Sequence, residues 1–277
     1  MWIVPDRPIP EKTPSIARWL APAGIARARV HAGPGTAVMA LPGRYGVTYL
    51  VRAEDHLVVV DMGSSQDVGD VAEAVRWARR AGARVAGIVL SHLHFDHLMG
   101  ADALALRLGC PIRVQARAFE AFEGGPPLRY PHAPHLKDLL AGWLYQGLPL
   151  LTARDLDWIR QRGLTHQRNP FQAPVEPLPA EGPIPDLPGW EVVPTPGHSD
   201  DSACLFHRKA GFLITGDTVR NFLGGEWNPV VIDPEQYRES RERLLRLPVR
   251  TVFPGHGPVL QGEEVLHRLR TVRPETA

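Results

Sequence analysis

Lysine is nearly absent. It occurs only at Lys12, Lys137 and Lys209, so the basic charge is almost all arginine. Acid and base nearly cancel, 30 acidic against 31 basic side chains, leaving a formal net charge of +1. That balance gives no long-range field to gather nucleic acid or an anionic membrane, and neither is expected as a partner. Cysteine is scarce too. Cys110 and Cys204 form neither a disulfide framework nor a CxxC pair, and are expected as small buried apolar side chains. No apolar run is long enough to cross a bilayer. The opening MWIVPDRPIPEK lacks a basic stretch followed by an apolar one, so no secretory signal is read there and the cytoplasm is the expected location.

What is present suits a soluble α/β chain. Its 277 residues are 44% apolar, enough for one sizeable core, and show no internal repeat. TAVMAL, VTYLVR and LVVVD are short and β-branched, and predict consecutive antiparallel strands. DMGSS (Asp61 to Ser65) is a polar turn after the last. Val68, Val71, Val75 and Ala78 recur at helical spacing up to Gly82. RVAGIVL then reads as a buried strand, ADALALRLG as a short helix, PIRVQA as a strand, and RAFEAF as the start of another helix.

Residues 124–188 break this rhythm, holding twelve of the chain's 28 prolines. Within them HLKDLLAGWLYQGL and RDLDWIRQR predict helices. NPFQAPVEPLPAEGPIPDLPG is too rich in proline for anything beyond edge strands. The segment is expected to be an insertion, or lid, in a single domain spanning residues 1–277. Beyond it come the strands GWEVVPTPGH, ACLFHR, GFLITGD and RTVF, and helices in PEQYRESRERLLRL and EEVLHRLR. Two such halves face to face predict a four-layer αββα sandwich.

The stretch SHLHFDH carries the densest chemistry. His92 and His94 are two apart, so in extended chain both can reach one ion. Asp96 and His97 follow at once and can turn to another. Imidazole and carboxylate are the donors expected for zinc and similar divalent ions. Three later features repeat the design. TPGHSDDS places His198 after a strand and a glycine, TGDT places Asp217 after FLI, where a carboxylate can bridge two cations, and PGHG places His256 between glycines after TVF. Each candidate ligand thus follows an apolar run, where one sheet edge can gather them.

From VVVDMGSS to TVFPGHG the chain resembles the metallo-β-lactamase superfamily, with every motif in order. The resemblance implies the αββα fold and a two-metal site. His92, His94 and His198 would hold one ion, Asp96, His97 and His256 the other, and Asp217 would bridge them. Asp61 would support the ligands from behind. Two zinc ions are implied, with iron or manganese as alternatives. Such a pair lowers the pKa of a shared water, so hydroxide is available near neutral pH to attack an ester, thioester or lactone. Asp96 would be the catalytic residue, orienting that nucleophile and shuttling its proton.

The superfamily's activities can be narrowed from this sequence. Only 21 residues follow His256 (277 − 256), which leaves no room here for the C-terminal helical domain of glyoxalase II. Asp217 stands where common β-lactamase subclasses carry cysteine. SHLHFDH and TPGHS look most like the lactonases, but those place a tyrosine soon after the bridging aspartate, and here the next is Tyr237. The expected substrate is a small, fairly apolar molecule. Trp143, Tyr145 and Trp158 are candidates to line an acyl pocket; packing of the insertion's helices and a homodimer contact are the other roles such aromatics take. Tyr130, His132 and His135 lie nearby in a looser stretch. The competing activities are a phosphodiesterase and a persulfide dioxygenase-like enzyme with one iron on His92, His198 and Asp217.

Overall fold

The computed structural model of the chain describes residues 28–130, 144, 151–222 and 224–271. Its seven-stranded sheet runs in chain order: β1 (Arg29–Gly33), β2 (Thr36–Pro42), β3 (Val47–Ala53), β4 (His56–Val60), β5 (Arg84–Val89), β6 (Ile112–Val114) and β7 (Val175–Pro177). The first four strands pair antiparallel, as their short polar turns require, and the last three join in parallel. The second sheet contains β8 (Gly182–Pro183), β9 (Trp190–Pro194), β10 (Ala203–His207), β11 (Phe212–Gly216), β14 (Thr251–Pro254) and β15 (Leu260–Gln261), in the order β15-β14-β11-β10-β9-β8. A small sheet of β12 (Val219–Arg220), β13 (Glu226–Trp227) and β16 (Arg270–Thr271) sits beside it.

Strand alternation builds three layers of core. Val38, Tyr49, Val51, Val58 and Val60 face Trp190, Val192, Leu205, Ile214 and Phe253 between the sheets. Their strand neighbours Met39, Leu50, Leu57, Val59 and Ile88 point the other way. There they meet the helices α1 (Val68–Arg80), α3 (Ala101–Leu108), α4 (Ala116–Phe122) and α5 (Ala153–Arg162). Behind the second sheet, Val193, Phe206, Leu213 and Val252 pack on Tyr237 and Leu244 of α6 (Pro234–Leu245). The architecture is therefore the αββα sandwich. Successive side chains of each strand enter opposite cores, so these strands are buried on both faces and nearly continuously apolar. Full burial of side chains such as Leu50 and Phe253 contributes about 1.5–3 kcal/mol each.

One sequence expectation needs correction. EEVLHRLR is not an α-helix: Glu264 takes a left-handed φ of 53°, Val265–Arg268 make one 3₁₀ turn, and Leu269 is extended so that β16 can pair with β13. The proline-rich end of the 124–188 segment supplies β7 and β8, edge strands of the two main sheets, where a missing N–H is tolerated. The helix RDLDWIRQR forms as α5, started by a Thr152–Asp155 capping box. Asp155 is fully buried and also accepts from Tyr45 Oη at 2.7 Å and Ser65 Oγ at 3.1 Å, which ties α5 to the loop after β4. HLKDLLAGWLYQGL falls outside the described residues except for Leu144. Cys110 and Cys204 are free and buried. Among the described residues no helix is long and apolar enough to cross a membrane.

Candidate metal centre

Every clustered side chain follows the C-terminal end of a strand. The chain leaves β5 through Leu90 and Ser91 to His92 and His94, and a four-residue helix, α2 (Phe95–Leu98), carries Asp96 and His97. His198 follows β9, Asp217 follows β11 and His256 follows β14. These ends lie together because β4 and β5 are parallel, as are β11 and β14. The edge is also stitched across the sheets, by Tyr49 Oη to the Pro254 carbonyl (2.6 Å) and by Ala203 N–H to the Ser91 carbonyl (3.0 Å). Two glycines let the backbones close up. A Cβ on Gly255 would lie 2.6 Å from Asp217 Oδ1, and Gly197, at φ +130°, packs against Tyr237.

Two groups of potential ligands result: His92, His94 and His198 in one, and Asp96, His97, Asp217 and His256 in the other, each with its ligand atoms within 4.8 Å of one another. His94 Nδ1 is 3.1 Å from His198 Nε2. Asp217 reaches both groups. Its Oδ1 lies 3.2 Å from both His97 Nε2 and His256 Nε2, and its Oδ2 lies 3.6 Å from His198 Nε2. His256 Nε2 is also 3.3 Å from Asp96 Oδ2.

The surrounding hydrogen bonds select which ring nitrogen faces inward. His97 Nδ1 is 2.9 Å from Asp61 Oδ2 and so carries its proton there. Ser91 Oγ donates its one hydrogen to Asp61 Oδ2 (2.8 Å), so it accepts from His92 Nδ1–H at 3.0 Å. His198 Nδ1–H donates to the Val230 carbonyl at 2.7 Å. In all three rings Nε2 is the nitrogen turned to the centre, where a bound cation would take its lone pair in place of a proton. His92 Nε2, His94 Nε2, His97 Nε2 and Asp217 Oδ1 are buried without a hydrogen-bond partner. Lone pairs that converge in a buried space repel unless a cation lies among them, so these residues fit divalent metal ions.

The electrostatics divide the two groups. Burial holds His92, His94 and His198 below the ordinary histidine range, His94 down to about 3, so these rings are neutral and able to bind metal. In the other group burial opposes charge but is outweighed. His256 and His97 hold the Asp217 carboxyl well below its usual range. The carboxylates, Asp217 foremost, push His97 well up and His256 to about 9. This carboxylate cluster calls for positive charge, and a divalent cation supplies it.

The other expected residues fall elsewhere. Asp61 does not enter either group. It accepts Ser91 N–H (2.8 Å) and Ser91 Oγ and faces His97, holding the ligand loop from behind. Trp158, 8% exposed, packs into the helix-side core with its ring 5.3 Å from His166. Trp143, Tyr145, His132 and His135 lie outside the described residues. Tyr237 is buried and donates to the Thr218 carbonyl at 2.6 Å, bracing the loop that carries Asp217. Sequence reasoning missed Ser91, Asn228, whose Nδ2 donates to the Asp217 carbonyl (2.8 Å), and Asp201, which accepts Leu93 N–H (2.8 Å). Ser91 and Asp201 lie within the quoted motifs SHLHFDH and TPGHSDDS; Asn228 had no signal.

The Metallo-beta-lactamase superfamily model matches residues 41–256, and the chain belongs to that superfamily. It is 23% identical over 252 residues to the probable metallo-hydrolase YflN of Bacillus subtilis (strain 168), covering 83% of this chain and 89% of that one. It is 24% identical to the hydroxyacylglutathione hydrolase of Idiomarina loihiensis, over 82% of this chain but only 65% of that enzyme. Among solved structures it is similar to TTHA1623 in a di-iron-bound form, at TM-score 0.50 and 25% identity, over 78% of this chain and 89% of that one. The DIM-1 metallo-beta-lactamase shares the fold at TM-score 0.55 and 16% identity, over 87% and 94% of the respective chains.

Proposed function

We propose that the protein is a metal-dependent hydrolase that cleaves an ester, thioester or lactone of a small, fairly apolar molecule. The observation that carries this reading is the pair of ligand groups with Asp217 reaching both. His92, His94 and His198 would hold one cation, Asp96, His97 and His256 the other, and Asp217 both. Zinc suits this mixture of imidazole and carboxylate; the di-iron form of a solved neighbour makes iron the alternative. When bound, such a pair acidifies water and stabilises negative charge on a carbonyl oxygen. The chain's own groups do the rest. Asp96, whose side chain is 22% exposed, is the carboxylate open to substrate; it orients the attacking water and carries a proton to the leaving group. Asp61, Ser91 and the Val230 carbonyl keep the rings from turning. The likeness to a hydrolase of an acylated glutathione supports an acyl substrate.

The test is a substrate panel of thioesters, lactones, phosphodiesters and β-lactams on metal-replete protein. Turnover of thioesters or lactones, lost in Asp217→Asn, is expected. Turnover confined to phosphodiesters, or oxygen uptake with a thiol persulfide, would overturn the reading.

A further inference from the structure

Of the seven clustered side chains, five are buried and only His94 and Asp96 are partly exposed. Substrate therefore approaches over these two. Tyr130 stands at that approach, its ring centroid 5.9 Å from that of His94 and tilted by 41°. It is itself partly exposed, and one side of it packs on the helix-side core. Three consecutive residues fix its place. Leu128 exchanges two hydrogen bonds of 2.7 Å with the Gln167 side-chain amide. Arg129 binds Asp200 through its backbone N–H (2.7 Å) and its guanidinium (2.6 Å), and reaches Asp233 at 3.2 Å. The Tyr130 hydroxyl accepts the His166 backbone N–H at 2.7 Å. Asp200 lies two residues beyond His198, and Asp233 caps α6. The ring is thus anchored both to the ligand-bearing loop and to the segment before β7.

We propose that Tyr130 is the specificity-determining wall of the substrate pocket: its ring bounds the space for the acyl group beside His94, and Arg129 is the residue that positions it. This rests on the ester, thioester or lactone reading above. An aromatic ring with two rotatable bonds is a rigid apolar face, and a rigid wall at the reacting end limits acyl length.

The experiment compares wild type, Tyr130→Ala, Tyr130→Leu, Tyr130→Phe and Arg129→Met on p-nitrophenyl acetate, butyrate and octanoate. Metal content and circular dichroism are measured on each protein. Tyr130→Ala should raise the octanoate-to-acetate ratio of kcat/KM about tenfold, through KM and with wild-type metal content. Tyr130→Leu, which keeps an apolar contact with the core, serves the same comparison should the alanine variant fail to fold. Tyr130→Phe keeps the wall and should hold the ratio within about twofold, while Arg129→Met should move it in the direction of alanine. An unchanged ratio in folded, metal-replete Tyr130→Ala or Tyr130→Leu overturns the proposal. So does an equal loss on all three esters, which marks a merely structural role. Calorimetric binding of octanoate and acetate reads the same preference without turnover. Should the wild type hydrolyse none of the three esters, the binding ratio still judges the wall, and the hydrolase reading is judged separately by the thioester and lactone panel. A wild type that also binds neither acid overturns the wall.

Discussion

Asp61 has a left-handed φ of 58°, a conformation that asparagine tolerates nearly as well. Asp61→Asn should therefore keep the turn while weakening the hold on His97 and Ser91. Metal affinity, read by competition with a chromophoric chelator, should fall about 10–100-fold; unchanged affinity would remove Asp61 from the account. Asp96 makes the opposite prediction. It is the most exposed carboxylate of its group, so Asp96→Asn should lower kcat about 10²–10⁴-fold and KM much less, with metal retained. Unchanged turnover in a metal-replete variant would contradict its assignment. The candidate ligands were legible because His, Asp and Gly at strand ends are rare in combination. Their supports were not: the Val230 carbonyl has no sequence signature, and Asn228 meets His198 from 30 residues away.

At the level of elements, α5 and the turn after it place a histidine where it cannot easily ionise. His166 is 1% exposed, lies against Trp158, and has neither ring nitrogen bonded. Burial, aided by the charge of Arg162, pushes it down to about 4 from an ordinary 6.5. Between those values the unfolded chain binds the extra proton. Stability is then fully present above pH 6.5 and is lost as pH falls toward 4, by about 3 kcal/mol. Urea unfolding at pH 4.5 and 7 should show this loss in wild type and a smaller one in His166→Gln; identical losses would place the acid sensitivity elsewhere. The strands were legible from β-branched runs and α5 from RDLDWIRQR, although its capping box was not read. The last helix was not, since a left-handed Glu264 and the pairing of β16 with β13 override the propensity of EEVLHRLR.

At the scale of the whole molecule, the two large sheets of the described residues meet along one edge at the candidate centre. His92, His94, Asp96 and His97 follow strand β5 of the first sheet, and His198, Asp217 and His256 come from the second. Bound metal would act as a staple between them, adding about 2.7 kcal/mol when present at a hundred times its dissociation constant. Chelation should lower Tm by about 5–10 °C. A Tm indifferent to chelator, with the metal shown to be gone, would mean the sheets do not depend on it. The αββα layering was legible in the short β-branched runs, because strands buried on both faces carry apolar side chains nearly throughout. The place of β7 beside β6 depends on a pairing some 60 residues apart in sequence, Ile112 with Val175, which no local pattern encodes.

The central claim is that each ligand group holds one divalent cation. Metal content per chain, measured on protein purified without chelator and dialysed against dilute zinc, tests it most directly. The account predicts two equivalents in wild type and one in His256→Gln. A wild type that retains a single equivalent, or none, would contradict it.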